Sequence, residues 1–252
     1  MACDREYIIA LDTVDSTNRY VRDEASVLWN RCGEGGLVVV TAKHQTAGRG
    51  QRGNIWSSNA GENLLFSILV RPGEKLMVKE QFLLSQTIAV ALHKAMCHFG
   101  IETKLKWPND IYVGNRKLAG VLVELDCCGT FVEQAIIGVG LNVNQELFPE
   151  MDRIPVSMKM LQGRDFLIDD VLATVLDLFG RYYDILLSGD KAAISGEYSR
   201  LILGLGEQRT FVCSKGYFEA VIEGVENDGH LLLRHKNGTL SRYAFKEVEL
   251  LL

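Results

Sequence analysis

The spacing of apolar residues along the chain changes period several times, and each change marks an element. Residues 36–42, GLVVVTA, and 63–70, NLLFSILV, are short apolar or β-branched runs closed by turn residues, so they predict two buried strands. In residues 15–30, DSTNRYVRDEASVLWN, Val21, Ala25, Leu28 and Trp29 fall at helical spacing behind Asp15 and Ser16 as N-cap candidates. A first helix is expected there. The stretch 81–100, QFLLSQTIAVALHKAMCHFG, puts Phe82, Ile88, Ala89, Leu92, Ala95, Met96 and Phe99 on one face and stops at Gly100, the clearest helix in the chain. Three further strands follow at 104–113, 117–125 and 131–144, the first two joined by a tight turn at Gly114-Asn115. Residues 168–189 predict a second long amphipathic helix.

From about Gly204 the pattern becomes short strands (209–214, 217–226, 229–235 and 239–245) separated by Gly and Asn turns with no helix between them. The predicted class is therefore α/β (α+β): a mixed β-sheet with packing helices over residues 1–203, then a small C-terminal β-barrel over residues 204–252.

With 252 residues, 47% of them hydrophobic, the chain can bury one sizeable core and a small second one. The N-terminus has early acids and an apolar run of four residues, too short for a secretion signal, and no window approaches a membrane span. A cytoplasmic location is expected. The six cysteines (Cys3, Cys32, Cys97, Cys127, Cys128, Cys213) form no C-x-x-C pair and are read as reduced thiols; His93 and Cys97 share a helix face, but two ligands do not make a metal site. Lys and Arg number 27 against 32 Asp and Glu, a net charge of −5 that argues against a general nucleic-acid binder.

Local charge changes that picture. Residues 35–61 contain no Asp or Glu but hold Lys43, Arg49 and Arg52, so the two arginines are expected to be unneutralised and ready for an anion. Within this stretch GRGQRG (48–53) has the spacing G-x-G-x-x-G, yet it runs on into NIWSSNAGEN and a strand rather than opening a helix. It is no dinucleotide turn, and Walker and kinase motifs are absent. What remains is a flexible cationic loop whose glycines allow backbone N–H groups close to an anion.

Four segments in order, DSTN, QTAGRGQRGNIW, KWPNDIYV with RKLAGVLVE, and GVGLNVN, resemble the hallmark segments of biotin protein ligases from about Asp15 to Asn144. The resemblance implies a core like that of class II aminoacyl-tRNA synthetases with a Src-homology-3-like barrel behind it. It also implies a C–N bond-forming ligase, cytoplasmic and monomeric or homodimeric, using biotin and Mg2+-ATP. Biotin is activated to biotinyl-5′-AMP and passed to a lysine of the biotin carboxyl carrier protein of a carboxylase such as acetyl-CoA carboxylase. No nucleic acid or membrane partner is implied.

Residue by residue, the resemblance assigns Lys117, Arg49 and Asp110 to catalysis. It assigns Ser16, Thr17, Asn18, Gln45, Gly48, Arg49, Lys117 and Gly120 to biotin, and Arg49, Gln51, Arg52, Trp56, Lys106 and Asn142 to the nucleotide. The residues themselves also allow plainer readings. If the Gly114-Asn115 turn has two-residue register, Tyr112 pairs with Lys117 and Asp110 with Ala119, which puts Asp110 and Lys117 on one face as diagonal neighbours. Alone, that is a cross-strand ion pair worth under about 1 kcal/mol. Ser16 could be simply a helix cap, Trp56 a core residue, and Asn142 a strand-end turn residue.

One departure stands out. Gln51 occupies the place of a second arginine in the family's usual G-R-G-R, so either the adjacent Arg52 supplies the missing charge, the favoured expectation, or biotinyl-AMP is released more readily. Two rival functions share parts of the pattern. A lipoate or octanoyl ligase has the same core without this arginine-glycine loop, and a biotin-sensing regulator needs a helix-turn-helix domain that the residues ahead of DSTN are too few to form.

Overall fold

The computed structural model describes residues 6–31, 36–149 and 153–252. Strand β1 (Glu6–Val14), helix α1 (Thr17–Trp29) and β2 (Leu37–Gln45) open the chain, with β1 and β2 parallel. Then come β3 (Leu64–Val70), β4 (Gly73–Met77), helix α2 (Phe82–His98), and the strands β5 (Lys104–Lys106), β6 (Asp110–Val113), β7 (Arg116–Cys128) and β8 (Phe131–Leu141). These strands form one mixed sheet in the order β1-β2-β3-β8-β7-β6-β5, with β4 also on β8. Helices α3 (Met158–Gln162), α4 (Ile168–Ser188) and α5 (Lys191–Leu201) follow. A separate antiparallel sheet is built from β9 (Gln208–Cys213), β10 (Gly216–Val225), β11 (Leu231–His235), β12 (Leu240–Tyr243) and β13 (Val248–Leu250), in the order β12-β11-β10-β9-β13.

The predicted long elements are present, and several short ones were not legible. The run 104–113 is two strands, because Pro108 has no N–H to give the ladder. Strand β1 is a half-exposed edge whose burial does not alternate cleanly. Helix α5 carries Gly196 in its interior, which weakens its helical signal, and Asp190 caps it by accepting from Ala193 N.

The period-2 alternation of the central strands divides the sheet into two unlike faces. Phe66 and Ile68 of β3, Val121 of β7, and Ile137 and Val139 of β8 point into the main core with α2 and α4. On the other face α1 buries Val21, Ala25 and Leu28 against Val38, Val40, Leu69 and Ile136, residues of β2, β3 and β8 only. Strand β7 meets α1 through polar contacts of Asn18 and Arg22 with Glu124 rather than through this apolar cluster.

The main core continues into the C-terminal sheet through Phe211, Ile222 and Leu233. Trp107 donates from Nε1 to Gly229 O at 2.9 Å, and Phe245 meets Trp107 and Phe82 edge-on at 5.3 and 5.8 Å between ring centres. Phe82 also contacts Tyr198 of α5 at 5.6 Å. Cys97 Sγ lies 3.5 Å from His93 Nε2, while Cys3 and Cys32 lie outside the described residues. Among the described residues no helix is long and apolar enough to cross a membrane.

Phe82 therefore ties three elements together, and Phe82→Ala is expected to cost about 3–5 kcal/mol of folding stability. Urea unfolding checks this; a loss under about 1 kcal/mol would mean the aromatic junction contributes little.

Candidate functional site

On the face that α1 covers only in part, strand positions that would ordinarily carry side chains are glycines: Gly138 and Gly140 of β8 and Gly120 of β7. Their absence of side chains leaves a cleft of about 1260 Å³ over β7 and β8. A Cβ on Gly138 would lie 2.2 Å from Asn18 Oδ1, and one on Gly140 would lie 2.3 Å from the Trp56 indole. Ser16, Thr17, Asn18, Gln45, Arg49, Gln51, Trp56, Lys106, Asp110, Lys117, Gly120 and Asn142 all line this cleft. Twelve of the fourteen residues singled out from sequence thus converge on one cavity.

One end of the cleft is a neutral polar socket at the N-terminus of α1. Ser16 occupies the N-cap position but its side chain makes no capping bond; its backbone N donates to Asp15 Oδ1 at 2.6 Å instead. The hydroxyl is therefore not committed to the helix. Gln45 Oε1 accepts from Thr17 N at 2.8 Å and lies 3.1 Å from Thr17 Oγ1. Ser67 Oγ is 2.8 Å from Thr17 Oγ1 and 2.6 Å from Asn18 Oδ1. Asn18 Nδ2 donates to Glu124 Oε2 at 2.8 Å, which fixes its amide with Oδ1 toward Ser67. The two hydroxyls, Thr17 and Ser67, hold two protons and serve three oxygen–oxygen contacts. Each of these oxygens has a partner within the socket.

The other end is cationic. Lys117 Nζ lies 2.7 Å from Asp110 Oδ1, so the predicted pair exists, with Asp110 only 7% exposed. Its register differs from expectation. Val113 pairs with Arg116 and Tyr112 with Lys117 as predicted, but a β-bulge then shifts the ladder and Asp110 pairs with Gly120, not Ala119. The extra residue lets Leu118 and Ala119 both enter the core while Lys117 and Gly120 face the cleft. A Cβ on residue 120 would sit 3.1 Å from the Lys117 ammonium. Lys106 is buried over the Tyr112 ring, 5.4 Å from its centre. Burial first, and then the nearby Arg153 charge, pull its pKa below the ordinary lysine value.

The glycine loop spans the two ends. Trp56 N donates to Gly48 O at 2.9 Å, and a Cβ on Gly48 would lie 2.4 Å from Trp56 O, so Gly48 serves the loop's own fold rather than lining the cleft. Trp56 rests on Gly140, with its Nε1 buried and without a protein partner. Arg49 is not unneutralised, as the acid-free stretch implied: its Nη2 is 3.3 Å from Glu124 Oε1, which also takes Arg22 at 3.0 Å. The acid comes from β7, far along the chain, where a local charge count does not look. Gln51 lines the cleft, whereas the Arg52 side chain lies outside the described residues. Asn142 is buried, and its Nδ2 donates to Val156 O at 3.1 Å and to Lys117 O at 3.4 Å, leaving Oδ1 as its group for a ligand.

Sequence reasoning missed four residues that build the site: Ser67, Glu124, Arg153 and Glu249. Arg153 Nη1 reaches Asp110 Oδ2 at 3.0 Å, and its Nη2 reaches Glu249 Oε1 of β13 at 2.9 Å.

The sequence profile of the biotin/lipoate A/B protein ligase family matches residues 11–142. The chain is 31% identical to the bifunctional ligase/repressor BirA of Bacillus spizizenii over 242 residues, covering 95% of this chain and 73% of that protein. It is 29% identical over 237 residues to the biotin–[acetyl-CoA-carboxylase] ligase of Paracoccus denitrificans, covering 90% of this chain and 94% of that one. Among solved structures, the biotin protein ligase of Aquifex aeolicus in complex with biotin and ATP superposes with a TM-score of 0.80 at 27% identity, covering 97% of this chain and 98% of that chain.

The glycine positions make a contrasting prediction. Gly138→Ala is expected to displace Asn18 and lower stability by about 1–3 kcal/mol, since buried polar partners lose their bonds. Gly196→Ala, in the interior of α5 with nothing within 4 Å of its new Cβ, is expected to stabilise by about 0.5–1 kcal/mol. Thermal melts of the two variants moving in the same direction would contradict this account of the cleft.

Proposed function

The chain belongs to the biotin/lipoate A/B protein ligase family, and we propose that it works as a biotin protein ligase whose cleft holds the biotin ring at the polar socket and the reacting groups at Lys117. The observation that carries this reading is that the end of the cleft at α1 is lined by hydrogen-bonding groups, Ser16, Thr17, Asn18 and Gln45, rather than by an apolar surface. A ureido ring brings two N–H donors and a carbonyl, which match the hydroxyl and amide groups of Ser16, Thr17 and Gln45 that line this end of the cleft. The dithiolane ring of lipoate brings no N–H and no carbonyl to match these polar groups. Ser16, with its hydroxyl free of the helix, and Gln45 complete the hydrogen-bonding ring.

The first step joins two anions. The biotin carboxylate oxygen attacks the α-phosphorus of ATP, the bond to the bridging oxygen breaks, and pyrophosphate leaves, giving biotinyl-5′-AMP. Repulsion between the anions is offset by charge held in place, with Lys117 and Arg49 on the carboxylate and α-phosphate and Lys106 on the phosphates. Asp110 has one oxygen on Lys117 and the other on Arg153, so it orients the ammonium rather than accepting a proton from substrate. Among the described residues the two carboxylates of the cleft, Asp110 and Glu249, are both held by cations, and Mg2+ would come with the nucleotide and offset part of its phosphate charge. In the second step a carrier lysine's neutral amine attacks the acyl carbon, the amide forms, and AMP leaves.

Trp56 then packs on adenine, with Asn142 Oδ1 accepting from its exocyclic amine, and Gln51 and Arg52 close over the adenylate. Residues 1–203 carry the chemistry, and residues 204–252 form the second wall of the cleft through β13. The acceptor is the carrier domain of a biotin-dependent carboxylase.

Pyrophosphate release that needs both biotin and ATP, with no carrier present and with lipoate unable to replace biotin, is the expected behaviour. Release driven equally by lipoate would overturn the assignment of the socket. Lys117→Ala is expected to slow this release by roughly a hundredfold or more, corresponding to about 3 kcal/mol for one charge-assisted contact to the transition state.

Lys106 supplies a pH signature. Its pKa is lowered in the free protein by burial and by Arg153, and phosphate nearby favours the charged form. ATP affinity is then full below the lowered pKa and falls as pH rises through it toward the ordinary lysine value. Calorimetry in buffers of different ionisation enthalpy should show proton uptake on ATP binding in that alkaline window, lost in Lys106→Ala. No proton uptake in the unaltered protein would remove Lys106 from the phosphate site.

A further inference from the structure

Arg153 stands where the two sheets meet, and both arms of its guanidinium are occupied by carboxylates of unequal standing. Nη1 is 3.0 Å from Asp110 Oδ2, and Nη2 is 2.9 Å from Glu249 Oε1 at the end of the chain. The segment that follows Arg153 is stitched to the reaction centre: Lys117 N donates to Ile154 O at 2.8 Å, and Val156 N donates to Lys117 O at 2.9 Å. The guanidinium is therefore anchored one residue from a strip of backbone that pairs with Lys117 itself. It lines the same cleft as Lys106 and Lys117.

We propose that Arg153 is a triphosphate-binding residue, and that Glu249 is the counter-ion it gives up when the nucleotide arrives. This rests on the ligase reading above. The two carboxylates decide which bond exchanges. Asp110 is 7% exposed and shares its charge with Lys117, so withdrawing Arg153 would leave a buried anion short of a partner, an expensive outcome. Glu249 is 44% exposed, and water can replace Arg153 around it at little cost. An incoming triphosphate carries several negative charges against the one of Glu249, and a guanidinium fork suits phosphate oxygens. Nη1 stays on Asp110 while Nη2 passes from Glu249 to a β- or γ-phosphate oxygen. No covalent bond changes in this exchange.

The proposal makes Glu249 a competitor of ATP rather than a support for it, and the two roles predict opposite signs. Initial rates of biotin-dependent pyrophosphate release are measured against ATP concentration for the whole protein and three variants. Glu249→Gln is expected to lower the KM for ATP about threefold or more, because it removes the competing charge and frees Nη2. Arg153→Ala is expected to raise that KM tenfold or more, with the effect falling on ATP and not on biotin affinity measured without nucleotide. In the double variant the gain from Glu249→Gln should vanish, since the arm that it frees is gone. A raised KM in Glu249→Gln, or an Arg153→Ala value within twofold of the unaltered protein, overturns the proposal. Should Arg153→Ala fail to fold, the direction of the Glu249→Gln shift decides alone. No biotin-dependent release by the unaltered protein would instead defeat the ligase reading, so the two failures are distinct.

Discussion

A buried carboxylate sets the terms for the cationic half of this cleft. Asp110 is nearly excluded from water, and an isolated carboxylate in such a place is costly by several kcal/mol. Its two oxygens are met by two cations from different parts of the chain, Lys117 across the hairpin and Arg153 from the segment that crosses behind it. Each partner needs its own backbone device. The β-bulge at Leu118 turns Lys117 toward the cleft while keeping two successive apolar residues in the core, and the pairing of residues 154–156 with Lys117 holds Arg153 in reach. With the single negative charge doubly compensated, the remaining charge of the site is positive, which is what a reaction between a carboxylate and a polyphosphate requires.

The two ends of the cleft are joined by Glu124. Its Oε2 accepts from Asn18 in the polar socket, and its Oε1 holds Arg49 of the glycine loop and Arg22 of α1. A chain of side chains therefore runs from Gln45 through Thr17, Ser67, Asn18 and Glu124 to Arg49. Arg22 and Arg49 share the same Glu124 oxygen, so Glu124 keeps a cationic partner if either one withdraws.

Most of the elements were legible in the sequence because they are written in periodicity, whereas the residues assigned to the cleft came from the resemblance of four ordered segments to a known family. The apolar-glycine alternation of residues 136–141 in β8 announces a strand that is packed on one face and bare on the other, and the structure puts the cleft on the bare face. Helices α1, α2 and α4 announce themselves through their stripes. What was not legible is long-range pairing. Glu124 meets Asn18 across 106 positions, and Glu249 meets Arg153 across 96, so the acid-free stretch around Arg49 gave a misleading picture of its neutrality. The bulge was equally hidden, because Leu-Ala-Gly reads as ordinary strand until the core demands both Leu118 and Ala119. Ser67 lies inside an apolar strand, where a lone hydroxyl carries no pattern of its own.

The contribution of the C-terminal sheet follows from two kinds of contact with different responses to a ligand. Its attachment is largely apolar: the buried Phe82 and Trp107 meet the partly exposed Phe245, and Trp107 donates to Gly229 O. Such a junction has nothing to exchange with an anion. Its electrostatic contact through Glu249 is exposed and therefore exchangeable. The sheet can thus lend or withdraw one negative charge at the reaction centre while its position stays constant. A wall that moved with the nucleotide would have to break the aromatic junction, at several times the cost of one exposed ion pair.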